Sequence, residues 1–394
     1  GVEPTLNAPA GHKVVAEQIR AHPGLRQAGR AWFQNNKQRL AERGFTQCES
    51  APCIFTKDMP CGGYLLLAVF VDDIISLNAS ENKDAMRELV TDLRPHYEII
   101  MQSELDKSLG GEFVNLPQGI HMHLNQYITG ILERFGMSDC KPVVNPEVSR
   151  DESKDMDETL LNRADTTLYQ EMTGAIMFCV TTCRPDLAHS AGMLARRMSC
   201  PRVCDAAAAK RVFRYLQGTK RLGILFKYDV DPVFPELVAY ADADWASDPE
   251  RRKSTSGFVA LYNGAPISWY SSLQSIIALS TCEAEYVAAS EACRELAYLR
   301  DLAAFMRVPQ QGPTPLHEDN QGTIHLVENP VHHKRTKHID VKWHYIRMAQ
   351  ESGMVKVVKV HTDLNHADIM TKAATTATFC RHVDAIMFLG LDPH

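Results

Sequence analysis

Four acidic residues in the last two-fifths of the chain stand where regular elements are expected to end. Asp242 lies in a strand, Glu285 in a long helix, Asp319 at a strand end and Asp368 at the start of a closing helix. Singly, such a carboxylate is an ordinary solvated side chain. Four of them at equivalent edges could hold two divalent cations, because hard oxygen ligands suit Mg2+, which fills its remaining positions with water and substrate phosphate. Two such ions about 4 Å apart can activate a water and stabilise the leaving oxygen in phosphodiester hydrolysis. A second acidic feature lies upstream, where "YLLLAVFVDDIISL" (residues 64–77) sets Asp72 and Asp73 inside an apolar run. Burying neighbouring carboxylates is costly and they repel one another, so the pair implies a turn, a metal, or both.

Periodicity supplies the elements that must carry these acids. Residues 26–43 have helical spacing, with Gly44 as a stop. Residues 54–56 and 64–77 read as strands, the second splitting at the two aspartates into a hairpin. An amphipathic helix is expected over 81–98, an exposed acid- and Ser-rich connector over 145–162, and helices over 169–180, 184–198 and around 206–216. Beyond about residue 235, "ELVAYADADWASD" reads as a strand, 257–263 and 266–272 as a hairpin, and 275–281 as a further apolar strand. A long helix over 282–305, a strand reaching 319, short helices, a strand over 355–360 and a closing helix over 365–373 complete the pattern. Antiparallel strands followed by alternating helices and strands describe a mixed α/β domain around one sheet.

At 394 residues the chain is too long for one ordinary core, so two or three domains are expected. A hydrophobic content of 45% with 23% charged residues describes a globular protein, and the longest apolar run is far short of a membrane span. The first residues lack a Met and show no signal-peptide pattern, which suggests a fragment or processed piece. Eleven scattered cysteines without a CxxC pair read as reduced thiols of an intracellular protein. Cys179/Cys183 and Cys200/Cys204 have spacings that could clip a zinc, but they fall in helix-like stretches and read better as small buried hydrophobes. The net charge of −6 does not announce nucleic-acid binding, yet 210–221, 250–255 and 332–338 are local basic clusters able to neutralise phosphates.

Several stretches carry a resemblance. "AYADADWASDPERRKSTSGFVALYNGAPISWYSSLQSIIALSTCEAEYVAASEA", "EDNQGTIHLVENPVHHKRTKHIDVKWHYIR" and "HADIMTKA" closely resemble the ribonuclease H domain of copia-type retrotransposon polyproteins. Upstream, "GLRQAGRAWF" is similar to that family's G-L-K-Q-A-P-R-A-W stretch and "FVDDI" to the Y-V-D-D-M hairpin of its reverse-transcriptase palm, with Gly29 where Pro is usual and Phe70 where Tyr is usual. The resemblance runs from about residue 24 to 372, in the family's order.

It implies an α/β (α+β) chain. An N-truncated reverse-transcriptase palm would occupy 1–110 and a thumb- or connection-like region 111–235. A ribonuclease H domain would follow over 236–373, and a C-terminal tail over 374–394. The implied catalytic and metal-binding acids are Asp242, Glu285, Asp319 and Asp368, with two Mg2+ (or Mn2+) ions, and Asp72 and Asp73 as a polymerase remnant. Glu285 is preferred to Glu283 because "EYVA" fits the E-x-x-A pattern of ribonucleases H, and Asp242 to Asp244 because it follows "AY". Implied nucleic-acid contacts are Arg26, Gln27, Arg30, Asn320, Gln321, Lys334, Arg335 and Lys337, with Ser254 and Thr255 as further polar candidates. His361 or His366 could shuttle protons, while His338 and His344 read as structural or phosphate-facing. Trp245 and Trp269 read as core residues on strands.

The expected activity is endonucleolytic cleavage of RNA in RNA–DNA hybrids. The third polymerase carboxylate should precede "GLRQAGRAW" and finds no match in this sequence, so polymerisation by this chain alone is not expected. Expected partners are the hybrid, element RNA and other Pol or Gag segments, with no membrane. The expected location is intracellular, in cytoplasmic virus-like particles, the nucleus, or both. An alternative from another class is an inactive or co-opted element remnant that at most binds nucleic acid.

Overall fold

The computed structural model describes residues 28–60, 62–71, 73–78, 83–95, 97, 99–100, 105–148, 157–228, 237–328 and 337–390. The chain divides into two compact units, Gly1–Met101 and Gln102–His394. The boundary therefore falls before the expected 110. The connection region and the candidate nuclease share one unit instead of forming two domains.

In the first unit, helix α1 (Ala28–Glu42) precedes strands β1 (Thr46–Gln47), β2 (Ile54–Asp58), β3 (Tyr64–Phe70) and β4 (Asp73–Asn78), and helix α2 (Lys83–Leu93) follows. The strands form one antiparallel sheet in chain order. Leu40, Phe55, Leu65, Leu67, Leu89 and Leu93 make its core. β3 and β4 form the expected hairpin, with Phe70 opposite Asp73. A connection this short needs a positive φ for its twist to match the strands, and Val71 adopts it at 52°.

The second unit opens with β5 (Lys107–Ser108), β6 (Gly111–Leu116), β7 (Gly119–His123) and α3 (Asn125–Arg134). Helices α4 (Arg163–Thr182), α5 (Ala188–Arg196) and α6 (Val203–Gly218) lead to β8 (Leu222–Lys227). Then come β9 (Leu237–Asp244), β10 (Thr255–Tyr262), β11 (Ala265–Leu273), α7 (Thr281–Phe305), β12 (Thr314–Glu318), α8 (Gln321–Glu328), α9 (Lys337–Glu351) and β13 (Val355–Lys359). A 3-10 turn (His366–Met370), α10 (Thr376–Ile386) and β14 (Phe388–Leu389) close it.

Two five-stranded sheets result. In one, β11-β10-β9-β12-β13, the first three strands are antiparallel and β12 runs parallel to both β9 and β13, which is the mixed sheet expected from sequence. The other, β14-β8-β7-β6-β5, was not anticipated. Its strands are short, and β7 ("GIHMH") carries histidines where alternation would place apolar residues. Its two histidines and Glu112 are all buried, against the usual composition of a core strand.

Four expectations are corrected. Residues 275–280 form a loop, not a strand: Trp245 and Lys253 hold its carbonyls at Ala278 and Ser275. Residues 374–394 include no free tail up to 390, because α10 packs its buried face (Phe379, Val383, Ile386) into the core and β14 pairs with β8. The connector begins buried, since the Asn145 side chain donates to the Ala374 carbonyl and Glu147 accepts from Ser190 and pairs with His189. Asp368 sits in a 3-10 turn where a helix was expected.

Candidate functional site

β9 is the strand at which the sheet changes from antiparallel to parallel pairing, and the carboxyl ends of such strands are where open α/β sheets bind ligands. Asp242 lies near the carboxyl end of β9 and Asp319 directly follows β12. Glu285 comes from the first turns of α7, whose Ala-rich face packs closely on the sheet: Ala284, Ala288, Ala289 and Ala292 are fully buried. The start of α7 is fixed by two hydrogen bonds around its N-cap, Ser280. The Ser280 hydroxyl accepts from the Glu283 N–H (3.1 Å), and the Glu283 carboxylate accepts from the Leu279 N–H (2.7 Å). Glu283 is thereby committed to the cap, and Glu285 is the acid left to face the sheet.

One carboxylate oxygen from each of Asp242, Glu285 and Asp319 lies within 4.8 Å of the other two. Asp368 approaches from the 366–370 turn, and two side chains bind that turn to β9. The Asn365 amide donates to the Ala241 carbonyl (2.8 Å), and the Thr371 hydroxyl donates to the Asp242 carboxylate. The close approach requires a glycine across the ladder. Gly257 pairs with Asp242, and a Cβ there would meet Thr371 Cγ2 at 2.6 Å and the Ala367 carbonyl at 2.8 Å. Lys372 forms an ion pair with Asp368.

Crowded buried carboxylates resist ionisation. Burial, opposed by Lys372 and reinforced by Asp368, pushes the Asp242 carboxyl up to about 6. Burial first, then Asp242 and Glu318, push Glu285 well above its usual range. Glu318, fully buried beside Asp319, is pushed up in the same way, against the Asn320 N–H that it accepts. Glu285 Oε2 has no hydrogen-bond partner. A divalent cation fits this set: it takes hard oxygen donors, and it would satisfy a buried carboxylate oxygen that the protein leaves unpaired.

The remaining candidates are placed as follows. Asp73 is exposed at the start of β4 in the first unit, and Asp72 lies outside the described residues. Arg26, Gln27, Lys334 and Arg335 also lie outside them; Lys337 opens α9, and His338 follows it. Arg30 is exposed on α1 and Gln321 on α8. Asn320 caps α8, its side chain accepting from the Thr323 N–H (3.1 Å). Ser254 and Thr255 are fully buried and bond to the Ala246 N–H and the Ser247 hydroxyl, so they are not surface contacts. His366 is wedged against Tyr240 and His382, whereas His361 is exposed and pairs with Asp363, and His344 is exposed. Trp269 is partly buried in the core, while Trp245 is 42% exposed. Cys179 and Cys183 are buried, and burial pushes both thiols up to about 12, as befits inert core residues. Sequence reading missed Asn365, Thr371 and Lys372 as supports, although "NHADIMTK" contains all three.

Acids from two strands, a helix and a following turn thus gather at one mixed sheet. Residues 8–149 match the family model described as reverse transcriptase (RNA-dependent DNA polymerase). The chain is 32% identical over 362 residues to the retrovirus-related Pol polyprotein from transposon TNT 1-94 of Nicotiana tabacum, which covers 90% of this chain and 27% of the relative. It is 32% identical over 356 residues to that from transposon RE1 of Arabidopsis thaliana, covering 90% and 24% respectively. A solved structure of LC11-RNase H1, isolated from compost, superposes with a TM-score of 0.28 at 17% identity, over 35% of this chain and 94% of that one. The chain is thus similar to retrotransposon Pol polyproteins over nine-tenths of its own length, and it spans about a quarter of the length of these curated relatives.

Proposed function

We propose that the second unit hydrolyses the RNA strand of RNA–DNA hybrids, cutting internally, with Asp242, Glu285, Asp319 and Asp368 holding two Mg2+ or Mn2+ ions. The observation that carries this is the convergence of three carboxylates, two of them buried, within 4.8 Å at the carboxyl ends of β9 and β12. When bound, such ions supply Lewis acidity and an activated water. The protein's own part is positioning. β9 fixes Asp242, the capped start of α7 fixes Glu285, and the bond from the Thr323 hydroxyl to the Cys282 carbonyl (3.2 Å) ties the Asp319 side to α7. Thr371 and Asn365 hold the Asp368 turn against β9. Gln321 and Asn320 stand beside Asp319, where polar groups could read the 2′-hydroxyls that distinguish RNA from DNA across a shallow minor groove. Lys334, Arg335 and Lys337 are the proposed phosphate contacts, which makes binding salt-dependent.

The first unit carries the reverse-transcriptase hairpin, and Asp72 and Asp73 are proposed as its metal ligands, with Arg26, Gln27 and Arg30 toward nucleic acid. Proposed partners are the hybrid, element RNA and other Pol and Gag segments, within virus-like particles or the nucleus. Among the described residues no helix is long and apolar enough to cross a membrane. The test is incubation of the purified chain with a labelled hybrid and Mg2+ or Mn2+. Cleavage that disappears in Asp242→Asn and Asp319→Asn is expected. Binding without cleavage, or cleavage that survives both substitutions together, sinks the proposal.

A further inference from the structure

Asp368 is the candidate ligand whose oxygens do not join the three-carboxylate cluster; its carboxylate is held by Lys372, four residues on. The lysine side chain is 40% exposed and that of Asp368 is 7% exposed, so the ammonium sits at the mouth of a buried acid. Asp242 and Asp244 face the same ammonium from β9, and together with Asp368 they hold it charged against the opposing effect of burial. The cleft therefore has two unlike halves. In one, Asp242, Glu285 and Asp319 converge on one another. In the other, Asp242 and Asp368 face a cation that the chain itself provides.

We infer that Lys372 is the resident counter-cation of the Asp242–Asp368 half. A divalent ion loads first on Asp242, Glu285 and Asp319, and a second is accepted at Asp242 and Asp368 only when the ammonium withdraws. This rests on the nuclease proposal above. The physical basis is direct. A carboxylate already neutralised by an ammonium attracts a second cation weakly, and two cations a few ångströms apart in a poorly solvated cleft repel strongly. Withdrawal is feasible because the lysine stem is flexible and its side chain is already partly exposed. A phosphate of bound nucleic acid offers the departing ammonium a new partner, so second-ion loading is coupled to substrate. The arrangement also gives a reason for a basic residue among these carboxylates: with His382, Lys372 offsets the buried charge of Asp368.

The test is Mn2+ binding to the intact chain without nucleic acid, followed by electron paramagnetic resonance of the free ion or by calorimetry. Wild type is expected to show a tight and a weak class. Lys372→Gln should strengthen the weak class on the order of tenfold, a typical inter-site coupling, and shift the tight class far less. Lys372→Arg, which keeps the charge, should keep the gap. Asp368→Asn should remove the weak class and leave the tight one. Circular dichroism checks that each variant is folded. An unchanged weak class in Lys372→Gln, or equal strengthening of both classes, overturns the inference and leaves the nuclease proposal standing. Absence of any bound Mn2+ in wild type and Asp242→Asn alike overturns both.

Discussion

Replacing Asp242 by Asn should make the protein more stable while disabling it. Asp242 is 3% exposed, and its carboxyl is pushed from 3.8 up to about 6, chiefly by burial. At about 1.4 kcal/mol per pH unit, holding it ionised at pH 7 costs about 3 kcal/mol. Asn keeps the shape but weakens the Thr371 hydrogen bond by losing its charge, which returns about 1–2 kcal/mol. The net expectation in EDTA is a gain of about 1–2 kcal/mol, a Tm rise of a few degrees for a unit of this size. The pH dependence has a definite sign. A carboxyl with a raised folded-state pKa takes up its proton first in the native protein, so wild type gains stability as pH falls from 7 through about 6 toward 3.8. The advantage of Asn must shrink over the same window. Thermal denaturation followed by circular dichroism at pH 7 and pH 5 measures both quantities. A variant less stable than wild type at pH 7, or an advantage undiminished at pH 5, would refute the electrostatic account.

Two further expectations follow from packing. Gly257→Ala should drive the 366–371 turn away from β9, lowering hybrid cleavage with KM little changed and costing about 1–3 kcal/mol in a urea melt. Arg184→Met should cost about 3–5 kcal/mol by leaving the buried Asp186 unpaired, whereas Arg184→Met with Asp186→Leu should recover much of the loss. A double-mutant cycle in urea decides this, and equal losses in the single and double variants would show that the ion pair is not the cause.

The sequence exposed the mixed sheet and its acids because each lies in a segment of strong periodicity: alternation in β9, a long amphipathic run in α7, a clear strand ending at Glu318. It could not reveal that Glu318, next to Asp319, is the buried acid while Asp319 joins the cluster, because a one-residue offset at a strand end depends on how the turn leaves the sheet. The run 275–281 is apolar enough for a strand, but Leu279 is 79% exposed, and the Trp245 and Lys253 side chains bind the run's carbonyls as a loop outside the ladder. The β5–β8 sheet was illegible for the opposite reason: His121, His123 and Glu112 are buried by tertiary partners that no local pattern displays. Ser254 and Thr255 looked like surface groups and are instead the internal ties of a loop.

The apolar core joining the helices to the mixed sheet has a consequence for how the second unit could be cut. Val259, Leu261 and Ala265 of the sheet, and Ile369, Met370 and Phe379 beyond it, share one cluster with Ile128, Tyr169, Ile176, Phe213 and Leu222 from the preceding region. A protease acting near residue 235 would not release a free-standing C-terminal domain. It would leave two nicked pieces still gripping one another, each carrying a sticky face if pulled apart. From residue 102 onward, one shared core makes the two stretches a single packed unit.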